Sequence, residues 1–216
     1  MVGETDRAAL AAEVCVALTR CCPDSRTEPV GSMGSGTADS FSDIDIAWVV
    51  PDARFPDCLA RVVGVLGEVR PVESVRVDPD FYRSDRRRLL FVRFVGLPLF
   101  WRLDLDVRTA SIAGDPRYDE GNPAARAREG EWSRPASALA NAVGAVKAVA
   151  RKRDDDARGL LDRGFARIGA DDRATGAWAD DVTRLAHAAA LRDPSLTDLA
   201  AQVTALAARH LGDSRT

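Results

Sequence analysis

The sequence predicts an α+β protein: an N-terminal domain with a mixed or antiparallel sheet and flanking helices, followed by a C-terminal helical bundle. Three observations carry this. The strand-like runs "DIDIAWVV" (43–50), "RPVESVRV" (70–77), "RRLLFVRFV" (87–95) and "LFWRLDLDVRT" (99–109) all lie before residue 110. After "AGDPRYDEGNP" (113–123) strand formers thin out and alanine dominates. From there apolar residues recur at helical spacing, as in Leu139/Val143/Val146, Leu160/Gly164/Phe165/Ile168, Trp178/Val182/Leu185 and Leu196/Leu199/Val203/Leu206. The expected domains are 1–120 and 121–216, the second with about four helices.

Taken in order, Thr5 or Asp6 can cap a first helix whose Leu10, Val14 and Leu18 share one face, ending near Pro23. A short strand around Thr27 to Val30 leads into the Gly/Ser loop "GSMGSGTADSFS". The strand 43–50 follows, closed by Pro51, then a helix over 55–68 ending near Gly67. Of the three remaining strands, the last two form a hairpin across the Gly96–Pro98 turn.

At 216 residues with 46% apolar and 29% charged content, the chain can bury a sizeable core. A net charge of −3 gives no global positive field for a nucleic-acid track, so a nucleic-acid acceptor is not expected. Cys15, Cys21, Cys22 and Cys58 have no metal-type spacing, and the two histidines, His187 and His210, do not make a zinc site. No leader pattern opens the sequence and no run is long and apolar enough to span a bilayer, so a reducing cytoplasm is expected.

The candidate chemistry lies in "GSMGSGTADSFSDIDI" (31–46). Side chains alternate along a strand, so Asp43 and Asp45 face one way and Ile44, Ile46 and Trp48 the other. A strand interior is a poor place for two like charges, and a divalent cation such as Mg²⁺ between them removes the objection. An exposed acidic face is the plain alternative. Upstream, Gly31, Gly34 and Gly36 let the backbone approach an anion, and Ser32, Ser35 and Thr37 offer hydroxyls. This is neither a P-loop nor a dinucleotide fingerprint. In "WRLDLDVRT" one face reads Arg102, Asp104, Asp106, Arg108. That face is either a solvated, self-paired edge or the third carboxylate of a triad.

The order of these elements, "VGS", a loop, "DIDI" and later "RLDLDV", resembles the DNA polymerase beta-like nucleotidyltransferase superfamily. The "SDID" spelling and the helical tail are most similar to the small antibiotic nucleotidyltransferases, which act on aminoglycosides or lincosamides. The resemblance covers residues 30–46 and 102–106. It implies that residues 1–120 are a nucleotidyltransferase catalytic domain. It further implies that Gly31 and Ser32 hold the terminal phosphates of a nucleoside triphosphate, ATP by expectation. Asp43, Asp45 and Asp104 would bind Mg²⁺ in a two-metal arrangement and carry catalysis. The general base is left among Asp104, Asp106 and a glutamate such as Glu131. A small-molecule acceptor is expected, possible antibiotic resistance following from it, with a protein acceptor or a non-catalytic nucleotide-binding module as alternatives. The loop departs from the family in having Ser35 where relatives often carry a basic residue, so Arg102, Lys147, Arg151 and Lys152 are candidate phosphate cations. "RSDRRRLL" (83–90) is expected to be a solvated turn, and "RKRDDD" (151–156) a helix terminus. Acidic residues near the domain junction (Asp119, Glu120, Glu129, Glu131) would suit a cationic acceptor, and Trp132 and Trp178 could line its pocket.

Overall fold

Alternating apolar residues build five strands: Arg26–Pro29 (β1), Ile44–Val50 (β2), Val72–Val77 (β3), Arg87–Phe94 (β4) and Leu103–Thr109 (β5). They form one mixed sheet in the order β1-β2-β5-β4-β3. The central β2–β5 pair is parallel, and the other neighbouring pairs are antiparallel. Helices Glu4–Cys21 (α1), Gly31–Gly34 (α2) and Phe55–Val69 (α3) accompany the sheet, and Arg134–Ala150 (α4), Asp154–Arg167 (α5), Trp178–Arg192 (α6) and Thr197–Leu211 (α7) follow it. The fold class is the α+β arrangement that the sequence predicts. The structure, a computed structural model, describes residues 4–212, with side chains from Arg7 onward. The cap expected at Thr5 or Asp6 lies outside the described side chains. Among the described residues no helix is long and apolar enough to cross a membrane.

The chain divides into two compact units, Met1–Trp132 and Ser133–Thr216. The break falls later than the composition change near residue 120, and hydrogen bonds explain why. The turn-rich segment 113–132 bonds back to the sheet unit: Arg87 donates to Pro116 O at 2.9 Å, and Ala127 N–H donates to Pro79 O at 2.7 Å. Composition changes where strands end, whereas the unit ends where those bonds do.

One face of the sheet is the core. Ile44, Ile46, Trp48 and Val50 of β2, Leu103, Leu105 and Val107 of β5, and Leu90, Val92 and Phe94 of β4 are buried in one cluster. Leu10, Val14 and Leu18 of α1 and Phe55, Cys58, Val62 and Leu66 of α3 cover them. The largest of these side chains, Trp48, is fully buried, and its Nε1–H donates to Ser25 Oγ at 2.8 Å. Replacing Ser25 by Ala leaves that N–H without its acceptor. Urea unfolding should show a loss of about 1–3 kcal/mol.

Boundaries differ from expectation in instructive places. β2 begins at Ile44, so Asp43 precedes the strand, and β5 begins at Leu103 rather than Leu99. Residues 95–102 are spent on a wider connection in which Gly96 takes φ +75°. α3 runs through Gly67 to Val69, since a glycine inside a helix weakens it without stopping it.

In the second unit, α4 packs against α5, α6 and α7. Leu139, Val146, Phe165, Val182, Leu185, Val203 and Leu206 are buried as their spacing predicts. Leu161, not Leu160, is the fully buried leucine of α5. Gly164 is held against its neighbour: a Cβ there would lie 2.5 Å from Leu185 Cδ2. Asp154, Asp155 and Asp156 form the first turn of α5, favourable at a helix N-terminus. His187 is exposed on α6.

Candidate active site

The sheet's other face is polar. Asp45 and Asp104 are direct partners in the β2–β5 register, and Phe91 of β4 continues the row beyond Asp104. Adjacent strands lie about 4.8 Å apart, so the parallel pair juxtaposes carboxylates distant in sequence. Asp43 stands one residue before β2, on the Asp45 side by alternation. The Asp43 and Asp104 side chains are 21% and 17% exposed, sheltered yet reachable.

The approach to Asp43 is tied down. Phe41 N–H and Ser42 Oγ both donate to Asp39 Oδ1 at 2.9 Å. Arg7, buried on α1, donates from Nη1 to Asp39 O at 2.7 Å and to Ser42 O at 3.1 Å. Ile44 N–H then donates to Arg102 O at 2.9 Å. Sequence reasoning missed Arg7, although an arginine in phase with Leu10, Val14 and Leu18 on an apolar helix face was a visible signal.

The Gly/Ser loop is not the open cradle that its composition suggests. Residues 31–34 form one helical turn, α2, and Gly34 N–H is the first to bond back, to Val30 O at 3.1 Å. The N–H groups of Gly31, Ser32 and Met33 therefore have no partner within the turn. Ser35 Oγ is spent on Gly31 O at 3.0 Å and on Thr37 Oγ1 at 2.8 Å. Gly31 has φ +57°, and a Cβ on it would lie 2.7 Å from Asp45 Oδ2. A Cβ on Gly34 would lie 2.5 Å from Pro29 O. These two glycines thus serve close approach of the chain to itself, Gly31 against the Asp45 side chain and Gly34 against the Pro29 carbonyl. Gly36 also has positive φ, +69°, but nothing lies near its Cβ position. Gly31→Ala should therefore lose more stability than Gly36→Ala. Each carries a left-handed penalty of about 1–2 kcal/mol, and urea titration of both variants separates the added clash with Asp45.

Arg102 dominates the electrostatics. Its Nε and Nη2 donate to Asp104 Oδ1 and Oδ2 at 2.5 and 2.7 Å, and Nη2 lies 3.9 Å from Asp43 Oδ2. Its guanidinium lies over the Phe91 ring, 4.6 Å from the centroid. Burial works against its charge, but Asp104 foremost, then Asp43 and Asp45, hold its pKa above the ordinary arginine value. Asp106 is a different kind of carboxylate. It is buried at 9% exposure, paired with Arg87 at 3.0 and 3.2 Å and with Arg108 through both Nε and Nη2. The Arg-Asp-Asp-Arg face is therefore self-paired, as one sequence alternative holds. It is not an edge, because β5 is the middle strand. The basic cluster 83–90 is likewise not simply a solvated turn: Arg87 is buried, with its guanidinium 3.9 Å from the Phe81 centroid.

Other candidates are committed elsewhere. Arg83 grips both Glu131 oxygens, and that bond foremost, with Arg128 N–H, holds the carboxyl down at about 2. A carboxylate so stabilised is a poor base. Asp119 accepts from Ser84 Oγ at 2.5 Å and from Asn122 Nδ2 at 2.6 Å, and Glu120 pairs with Arg117 at 2.7 Å. The acidity near residues 119–131 is thus largely internal pairing. Lys147 is buried, Arg151 half-buried and Lys152 exposed, all in the second unit, and Trp178 lies beside Arg158 at 5.5 Å.

Among the described residues no three His, Cys, Asp or Glu side chains stand grouped so as to hold a metal ion. As they stand, Asp43, Asp45 and Asp104 are therefore not drawn together around a cation, but by donor type they fit one: all three offer hard carboxylate oxygens, and a Cβ at position 31 would crowd Asp45 Oδ2. Arg102 supplies the positive charge there instead.

No protein-family model and no curated protein matches this chain. Among solved structures it is similar to a cytoplasmic RNA terminal U-transferase, at 18% identity and a TM-score of 0.36. The match covers 73% of this chain and 46% of that one, so the chain spans less than half of the protein it resembles. A likeness at this level does not extend to substrate.

Proposed function

We propose that the protein is a Mg²⁺-dependent nucleotidyltransferase of the DNA polymerase beta-like superfamily. In this reading residues 1–120 carry catalysis, and a nucleoside monophosphate, AMP from ATP, passes to a hydroxyl of a small-molecule acceptor. The observation that carries it is the Asp45–Asp104 pairing on adjacent parallel strands, with Gly31 closed against Asp45. Asp43, Asp45 and Asp104 are the residues that would hold Mg²⁺, which when bound neutralises triphosphate charge and favours departure of pyrophosphate. The N–H groups of Gly31 and Ser32 and the Ser32 hydroxyl are the donors for terminal phosphate oxygens. The fixed Asp39–Ser42 turn orients Asp43 and spares it the entropy of ordering when ligand arrives.

For the acceptor proton, Asp104 is the favoured base. Asp106 is enclosed by Arg87 and Arg108, and Glu131 by Arg83. An aminoglycoside or lincosamide remains the preferred acceptor on the resemblance of residues 30–46, and a partner protein is the rival within the same chemistry. A second reading, a nucleotide-binding module without turnover, has its own support in the bidentate hold of Arg102 on Asp104.

The test is mass-detected nucleotide transfer with Mg²⁺ and each of the four nucleoside triphosphates, offered to aminoglycosides, lincosamides, candidate proteins and short RNAs. Transfer to an antibiotic supports the full reading. Transfer to protein or RNA keeps the chemistry and replaces the acceptor. Tight nucleotide binding with no labelled acceptor favours the binding module.

A further inference from the structure

We propose that Arg102 is a built-in counter-ion of the carboxylate row, and that a divalent cation binds there by displacing it from Asp104. The proposal rests on the reading of Asp43, Asp45 and Asp104 as the cation's ligand set.

Two arginines on this face have comparable forks and very different anchorage. Arg87 holds Asp106, but it also donates to Pro116 O at 2.9 Å and Tyr118 O at 3.3 Å, and it is buried beside Phe81. Turning it out would strand several groups at once. Among the described residues the Arg102 guanidinium has no carbonyl partner of this kind. Its side chain is 22% exposed, and its fork holds Asp104 while approaching Asp43 and lying over Phe91. Arg87 is locked in place, whereas Arg102 is held chiefly by the charges that a cation would take over.

The competition is geometric as well as electrostatic. Arg102 occupies both Asp104 oxygens, so a cation approaching them meets donated N–H groups in place of lone pairs. Two cationic groups over one carboxylate row also repel each other. Cation binding is then an exchange of one positive group for another, and the affinity is lower than three carboxylates alone would give. In return, the row is stable without any cation, because Arg102 offsets repulsion between Asp43, Asp45 and Asp104.

The test is titration of Mn²⁺, as a stand-in for Mg²⁺, into the full chain without nucleotide. Binding is followed by calorimetry at fixed ionic strength, and melting curves are recorded with and without metal. Arg102→Gln should bind Mn²⁺ about tenfold more tightly than the parent, the scale of one lost charged hydrogen-bonded contact. It should melt lower than the parent without metal and gain more from Mn²⁺. Arg102→Lys, which keeps the charge and loses the fork, should fall between them, and it carries the test if the glutamine variant does not fold. Asp104→Asn should bind more weakly than the parent. If both Arg102 variants bind with parental or lower affinity while Asp104→Asn binds worse still, the ligand set stands and the displacement proposal is overturned. If neither the parent nor any Arg102 variant binds Mn²⁺, the ligand-set reading fails and takes this proposal with it. Tighter binding that persists in Arg102→Gln combined with Asp104→Asn locates the metal elsewhere and also overturns it.

Discussion

Replacing Asp45 by Asn is expected to slow Mg²⁺-dependent nucleotidyl transfer by on the order of 10³-fold, with Asp43→Asn close behind. Asp45 is the sharper probe because it faces Asp104 directly in the sheet and sits beneath Gly31. The amide keeps the shape of the carboxylate, so contact with Gly31 is preserved and the lost quantity is charge. The fold should survive, since removing one of three neighbouring negative charges relieves repulsion in the apo protein. Transfer rate at saturating Mg²⁺, read beside the melting midpoint, separates the two effects. Parental rates in both variants would remove Asp43 and Asp45 from the chemistry.

Asp106→Ala is expected to do the reverse, costing about 3–5 kcal/mol of stability, the range for one member of a buried ion pair. Asp106 neutralises Arg87 and Arg108 at the centre of the sheet, and its removal leaves Arg87 buried without its carboxylate. Asp104→Ala should cost far less, because Arg102 is nearer solvent and can turn outward. Urea unfolding of both variants, extrapolated linearly to water, gives the comparison. A smaller loss for Asp106→Ala than for Asp104→Ala would invert the roles assigned to the two aspartates.

Much of the fold was legible in the sequence, for reasons that can be named. The strands announced themselves through alternation, and Asp43 and Asp45 stood out as charges at the head of an otherwise apolar run. The Arg-Asp-Asp-Arg face was visible too, but its meaning was not. Whether such a face is an edge or a centre depends on strand order, which no local pattern encodes. Arg87–Asp106 joins residues on different strands, so it escaped a reading confined to each run. The α2 turn escaped as well, because Gly/Ser composition describes an open loop and a glycine-led helical turn equally well. Glu131 looked available only because its partner Arg83 lies far back along the chain.

The position of β5 between β2 and β4 carries one more consequence, for how the molecule is made. Its strand is the last of the five in the chain, yet it fills the middle of the sheet. Until Leu103–Thr109 is in place, the β1–β2 and β3–β4 pairs are separate ribbons with no ladder joining them. A parallel pairing across so long a loop carries a closure cost that local pairings do not, so the ribbons are expected to join late in folding. The same insertion brings Asp104 beside Asp45 and seals the apolar face. A chain that stops short of β5 therefore holds Asp43 and Asp45 without Asp104 beside them: the third carboxylate arrives as the core closes.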